Sequence, residues 1–270
     1  YFSGEAQLKL GRPDEAVLAF RRVIKQYPGT TFKSYALLSL GEIQATINKD
    51  ETAALDLFKQ ASESSASDRV KAESLFQVAE YYFRDKAYEK SADYYRKLLT
   101  LFPEDARSIE AALQAAWAAY YAGLYAEALD RARQAVQASE SAQAPVGELP
   151  EWLYLKANCE RQLMQNADAI QTYAALLEKH PRSTFADAAR YERAVAYFKS
   201  GSYRQAIEAA ARVRAEGKLQ RDVYWLLAES HAALKQDEQA IQYYRLLIRD
   251  FPDSELSCDA LYRLAHHLQE

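Results

Sequence analysis

The sequence predicts an all-α solenoid of antiparallel helix pairs, and three observations carry that prediction. A block made of a small residue and an aromatic four positions later, closed by a proline eight positions further on, recurs along the chain. Its clearest copies are Ala16, Phe20 and Pro28; Ser91, Tyr95 and Pro103; Ala169, Tyr173 and Pro181; and Ala240, Tyr244 and Pro252. Each block after the first follows another amphipathic stretch with a small residue near its middle: Gly41, Ala79, Ala116, Ala157, Ala194 or Ala228. Finally, 49% hydrophobic and 27% charged residues with only 8 Gly and 7 Pro in 270 suit long amphipathic helices rather than a loop-rich chain. Self-similarity at a period of roughly 20 to 50 residues marks a repeat array, in which each unit buries its apolar face against its neighbours.

The second helix of each pair is placed by its small residue: Ala16, Ala54, Ser91, Ala128, Ala169, Ala206 and Ala240. Four positions on stand Phe20, Phe58, Tyr95, Ala132, Tyr173, Ala210 and Tyr244. Residues four apart share a helical face, so the small residue admits a partner helix and the ring fills the gap beside it. Ala132 and Ala210 lack the ring; Trp117, Tyr120 and Tyr121 are expected to supply bulk in the first case. The first helices follow the same periodicity, as in residues 72–84, where Leu75, Val78, Ala79 and Tyr82 fall on one face. Within a pair the turns are short, at Asn48 to Asp50, Ala122 to Gly123 and Ser200 to Ser202, and glycine there is a natural helix stop. Pro28, Pro103, Pro181 and Pro252 end second helices because proline cannot extend the hydrogen-bond ladder. Ser34, Ser108, Ser183 or Thr184, and Ser254 are placed to cap the helices that follow.

The whole of 1–270 thus reads as a single array of about seven pairs with partial repeats at both ends. The chain enters partway along a first helix, so a longer parent protein is expected. Residues 62–68 form a polar, serine-rich junction. Residues 139–150 hold two prolines and a glycine and cause the longest interval between repeats, either as a hinge between subdomains or as a lengthened loop in a continuous array.

Several functions are disfavoured. The formal net charge is −4 with both signs interspersed, unlike the basic face of a nucleic-acid binder. The longest apolar stretch, 111–123, falls short of the roughly 18 residues of a membrane span. Cys159 and Cys258 are read as small buried side chains rather than a disulfide or metal pair. His180 and His231 stand where other repeats place rings; His266 and His267 lie near the chain end. No phosphate-binding glycine loop, Cys-x-x-Cys or His-Glu-x-x-His is present, so neither an enzyme nor a cofactor site is expected.

The hairpin with a small residue in its first helix, Ala then an aromatic in its second and a closing Pro resembles the tetratricopeptide repeat. Tyr27-Pro-Gly-Thr, Phe102-Pro-Glu-Asp, His180-Pro-Arg-Ser-Thr and Phe251-Pro-Asp-Ser resemble a bacterial subgroup. That subgroup includes periplasmic proteins of the Tol–Pal system and the lipoprotein of the outer-membrane barrel assembly machine. The resemblance implies a right-handed superhelix acting as a protein–protein interaction scaffold, with a periplasmic or outer-membrane-associated location. It also implies that first helices line a groove for an extended or helical partner segment. The positions three before, and one, four and five after, the small residue would face it. On this sequence they give Phe76, Glu80 and Phe83; Trp117, Tyr120 and Tyr121; Tyr154, Asn158 and Arg161; Tyr191; and Trp225. Arg84, Leu113, Gln162, Val195, Phe198 and Lys199 fall on the same projection. Chaperone-binding members clamp a carboxylate with Lys and Asn at such sites; only Asn158 matches here, which argues against that role. A self-assembling array, stacked through Leu261, Leu264 and Leu268, and a regulatory module of a larger protein are the competing readings.

Overall fold

The computed structural model describes residues 1–64, 67–141 and 149–267, and all regular structure among them is helical. The helices are α1 (Phe2–Lys9), α2 (Pro13–Gln26), α3 (Thr31–Ile43), α4 (Glu51–Glu63), α5 (Asp68–Arg84), α6 (Tyr88–Leu101), α7 (Ser108–Tyr121) and α8 (Tyr125–Ser141). Then come α9 (Leu149–Gln162), α10 (Asn166–Lys179), α11 (Ala186–Lys199), α12 (Tyr203–Ala210), α13 (Gly217–Ala233), α14 (Asp237–Asp250) and α15 (Glu255–His267). A single π-helical turn, Gln44–Asn48, extends α3. No helix among the described residues is long and apolar enough to cross a membrane. The expected hinge or loop at 139–150 has residues 142–148 outside the described set.

The chain comprises two compact units, residues 1–128 and 129–270. In the first, successive helices from α1 through α6 to α7 pack in turn, and α3 also meets α5. In the second, successive helices from α9 to α15 pack in turn, while α9 with α11, α11 with α13 and α13 with α15 lie side by side. The odd-numbered helices therefore share one face of each unit, which is where the candidate side chains sit.

Local chemistry explains the boundaries. Second helices stop at Tyr27, Phe102, His180 and Phe251, one residue before each proline, with φ of −131 to −137° and ψ of 54 to 58°. The turn inside every pair contains one left-handed residue: Gly11, Lys49, Lys86, Gly123, Met164, Gly201 and Lys235, with φ between 58 and 79°. Each stands five positions before the small residue of its second helix. Where glycine occupies the site the backbone is unstrained; the lysines and Met164 carry the cost of a Cβ in that region.

The small residues do what the periodicity requires. Gly4 and Gly41 lie flat under the rings of Phe20 and Phe58, and a Cβ there would stand only 2.6 and 2.5 Å from the ring. Ala79 and Ala228 share core clusters with Tyr95 and Tyr244. The three tyrosines at this position and Phe20 are wholly buried.

Some expectations need correcting. Ser34 is buried inside α3 rather than capping it, and Ser108 donates to the Phe102 carbonyl oxygen at 2.8 Å. Ser254 does cap α15, its Oγ accepting from the Ser257 amide at 3.2 Å. Cys159 is buried, and burial pushes its thiol up to about 12, but Cys258 is exposed on α15. Helix α12 has 8 residues where other second helices in the same unit, α10 and α14, have 14. With Ala210 in place of a ring and no closing proline, the chain leaves the helix early, and Val213 and Ala215 pack against the core instead.

Candidate functional site

In the first unit, α5, α6 and α7 gather a continuous aromatic cluster. Trp117 stacks on Tyr121 at 5.6 Å with planes 22° apart, and Tyr88 lies 5.1 Å from Tyr121 with planes 31° apart. Phe83 meets Tyr121 edge-on at 6.0 Å, and Tyr120 bridges Trp117 and Tyr125 at 5.7 and 5.4 Å. Tyr121 is 51% exposed, while Trp117, Tyr120 and Phe83 are half-buried. One turn of α7 places positions 117, 120 and 121 on one face, so the exposed Tyr121 and its half-buried neighbours sit together on a rigid support. Rings held by other rings lose little further entropy when a ligand covers them. Phe76 differs from its expected place. It is 8% exposed and packs its edge on Tyr95, because Tyr95 and the alanines of α7 close over it.

The residue immediately after each small residue carries the polar chemistry. Glu80 accepts a short hydrogen bond from the Tyr95 hydroxyl, Asn158 Oδ1 accepts from Tyr173 at 2.6 Å, and Glu229 accepts from Tyr244 at 2.5 Å. Burial and the neighbouring carboxylate hold the Tyr95 and Tyr244 hydroxyls well above the ordinary phenol range, so both stay donors. At the corresponding positions, Glu5 and Glu42, the ring of the second helix is Phe20 or Phe58, which has no hydroxyl to donate.

Glu5 and Glu42 open instead into a cleft of about 370 Å³ between α1, α3 and α5, walled by Tyr1 and Tyr35 and completed by Glu73, Arg69 and Arg107. Arg107 is engaged by Glu73 and by Asp105. Ser39 donates to Glu5 at 3.1 Å. Glu42 is exposed, yet partial burial by the cleft walls, with Glu73 and Glu5 nearby, holds its carboxyl above the usual carboxylate range.

In the second unit the face is partly closed by its own charges. Arg161, 9% exposed, pairs with Glu192 at 3.0 Å, and Asn158 is 4% exposed beneath it. Burial raises the Glu192 carboxyl although Arg161 opposes the shift. Tyr154 stacks on Phe185 at 5.2 Å, Trp225 meets Tyr244 at 5.9 Å, and Tyr191 is half-buried. Asn158 and Arg161 are thus interior supports rather than open groove residues. Sequence reasoning missed a buried network beside them: Glu160, 2% exposed, accepts from Thr172 at 2.8 Å and pairs with Lys156 at 3.1 Å. The signal was there, since Glu160 stands three past Ala157, where Tyr82, Tyr197 and His231 stand in other repeats. His231 itself stacks on Tyr243 at 5.6 Å and bonds Gln236 through Nδ1 at 2.7 Å.

Among the described residues no group of three or more His, Cys, Asp or Glu could hold a metal ion. The tetratricopeptide repeat family model matches residues 1–69, 52–106, 113–184 and 191–255. No curated protein matches the chain. Among solved structures, the apo form of RapI is similar over 96% of this chain and 81% of its own, with a TM-score of 0.65 at 15% identity. PilW, a widely conserved type IV pilus biogenesis factor, is similar over 84% of this chain and 98% of its own, with a TM-score of 0.63 at 19% identity. YrrB, a repeat protein with an unusual peptide-binding site, is similar over 82% of this chain and 98% of its own, with a TM-score of 0.54 at 17% identity.

Proposed function

The chain belongs to the tetratricopeptide repeat family, and from that premise we propose that it is a non-catalytic scaffold whose first-helix face receives an extended or helical segment of a partner protein. The observation that carries this reading is the aromatic cluster on α7 and α6, in which the exposed Tyr121 is held by the half-buried Trp117 and Tyr88. Large, preorganised aromatic surface is the usual source of binding hot spots. The peptide-binding site of YrrB supports peptide as the ligand class, and the likeness to PilW supports a role in bacterial envelope assembly. Trp117, Tyr120, Tyr121 and Phe83 are the contact residues of the first unit, with Glu80 on the same face; Tyr154, Tyr191 and Trp225 hold the corresponding positions in the second unit.

Selection from a displayed peptide library tests the reading. Wild type should enrich a sequence family that Trp117→Ala/Tyr121→Ala no longer enriches, with helicity by circular dichroism unchanged. Equal enrichment by both proteins would move binding away from this face. The exposed Leu261 and Tyr262 on α15 favour end-to-end self-association as a second reading. A mass by light scattering that rises with concentration, and falls back in Leu261→Glu, would establish it.

A further inference from the structure

The structure assigns the cleft between α1, α3 and α5 a second, chemically distinct role: we propose that it receives one lysine or arginine side chain of the partner segment, with Glu42 as the principal acceptor and Glu5 beside it. This rests on the reading of the first-helix face as a partner-binding face, and adds a charge requirement that the aromatic cluster does not impose.

Three observations lead to it. In the third, fifth and seventh repeats the polar residue after the small one is satisfied internally by a tyrosine hydroxyl. In the first two repeats the ring is Phe20 or Phe58, so the same backbone position presents a carboxylate with that donor withheld. No hydrogen bond or ion pair from the described residues reaches the Glu42 carboxylate, while the positive charge nearest in kind, Arg107, is already divided between Glu73 and Asp105. Glu42 is an exposed side chain that lines a cleft of about 370 Å³, roomy enough for a long side chain, together with Tyr1 and Tyr35.

A carboxylate that lines a cleft and takes no donor from the described residues is open to one positive hydrogen-bonding group from outside. A lysine ammonium or arginine guanidinium supplies it, and its methylene stem and charge suit the tyrosine walls. The polar and charged groups that line the cleft with Glu42 are Glu5, Ser39, Glu73, Tyr1, Tyr35, Arg69 and Arg107. Arg69 is exposed at the rim and Arg107 is occupied, so neither replaces the missing partner. Because the cation binds the ionised form, affinity should rise with pH as Glu42 loses its proton, from above the usual carboxylate range. It should also weaken with added salt.

The test uses the intact chain and ¹³C-detected glutamate carboxylate resonances. Titration with acetyl-lysine N-methylamide should move the Glu42 signal saturably and lower its apparent pKa, whereas the Nζ-acetylated probe should leave it in place. Glu42→Gln, checked for unchanged helicity, should weaken binding of the charged probe at least tenfold; Trp117→Ala/Tyr121→Ala should not. Equal responses to both probes, no response, or binding by Glu42→Gln within twofold of wild type overturns the proposal. Lysine binding together with a failed peptide selection would keep this site and remove the aromatic-groove reading. Peptide enrichment that depends on Trp117 but not on Glu42 or on a basic residue would do the reverse.

Discussion

Glu42 and Glu229 occupy the same place in two repeats, one residue past the small residue of a first helix, and live in opposite circumstances. Glu229 accepts a hydrogen bond from the Tyr244 hydroxyl at 2.5 Å and also pairs with Arg263 at 3.4 Å. Glu42 follows Gly41, which lies under the Phe58 ring, and lines a cleft. The small residues change in step: Gly4 and Gly41 under phenylalanine, Ala79, Ala157 and Ala228 beside tyrosine. Two solutions to one packing problem are in use. The glycine–phenylalanine pair brings the ring so close that no Cβ fits, and leaves the acid available. The alanine–tyrosine pair holds the ring further off and consumes the acid in a hydrogen bond. The architecture is shared, and one hydroxyl separates a structural acid from one that can serve a ligand.

This contrast can be broken at several points. Gly41→Ala should have the largest effect, since its methyl would stand 2.5 Å from the buried Phe58 ring; overpacking of this kind costs about 2–3 kcal/mol, measured by urea unfolding. The alanine–tyrosine repeats already tolerate that methyl, so Gly41→Ala combined with Phe58→Tyr should recover part of the loss. Tyr244→Phe comes next. It removes one donor from Glu229, which keeps its pairing with Arg263, and should cost about 1 kcal/mol, while the same change cannot be made in the first two repeats, where phenylalanine is native.

Phe58→Tyr alone sharpens the comparison by converting one solution toward the other. The new hydroxyl should donate to Glu42, adding about 0.5–1 kcal/mol of stability, and should abolish the response to the lysine probe. It should also alter pH dependence. Native Glu42 titrates higher folded than unfolded, so the folded state holds the extra proton between the two values. Stability therefore falls as pH rises through that window, above the usual carboxylate range. Phe58→Tyr should flatten this local slope by stabilising the carboxylate. The smallest effects belong to the turns. Lys49→Gly, Lys86→Gly, Met164→Gly and Lys235→Gly each relieve a left-handed residue but loosen the unfolded chain. Each should gain only a few tenths of a kcal/mol, best resolved by combining all four and following thermal unfolding.

The amino-acid order by itself determined the helix pairs, their spacing and their stops. Small residues, rings and prolines act through helical-face periodicity and the loss of a backbone donor, which are local properties. It even contained the seven left-handed turn positions, five before each marker, although only three are glycine and the other four carry no local signal. The candidate face was legible as a series of positions, but its division into open and buried members was not. Tyr121 and Phe76 are both aromatic residues on the projected groove face, yet one stands exposed and the other lies under Tyr95. Arg161 is interior because Glu192, from the next first helix, meets it there. Only the tertiary structure decides which neighbour arrives at each site, because desolvation and hydrogen-bond satisfaction depend on residues distant in the chain. That is why Glu5, Glu42, Glu80 and Glu229 look alike in the sequence and differ in what they can bind.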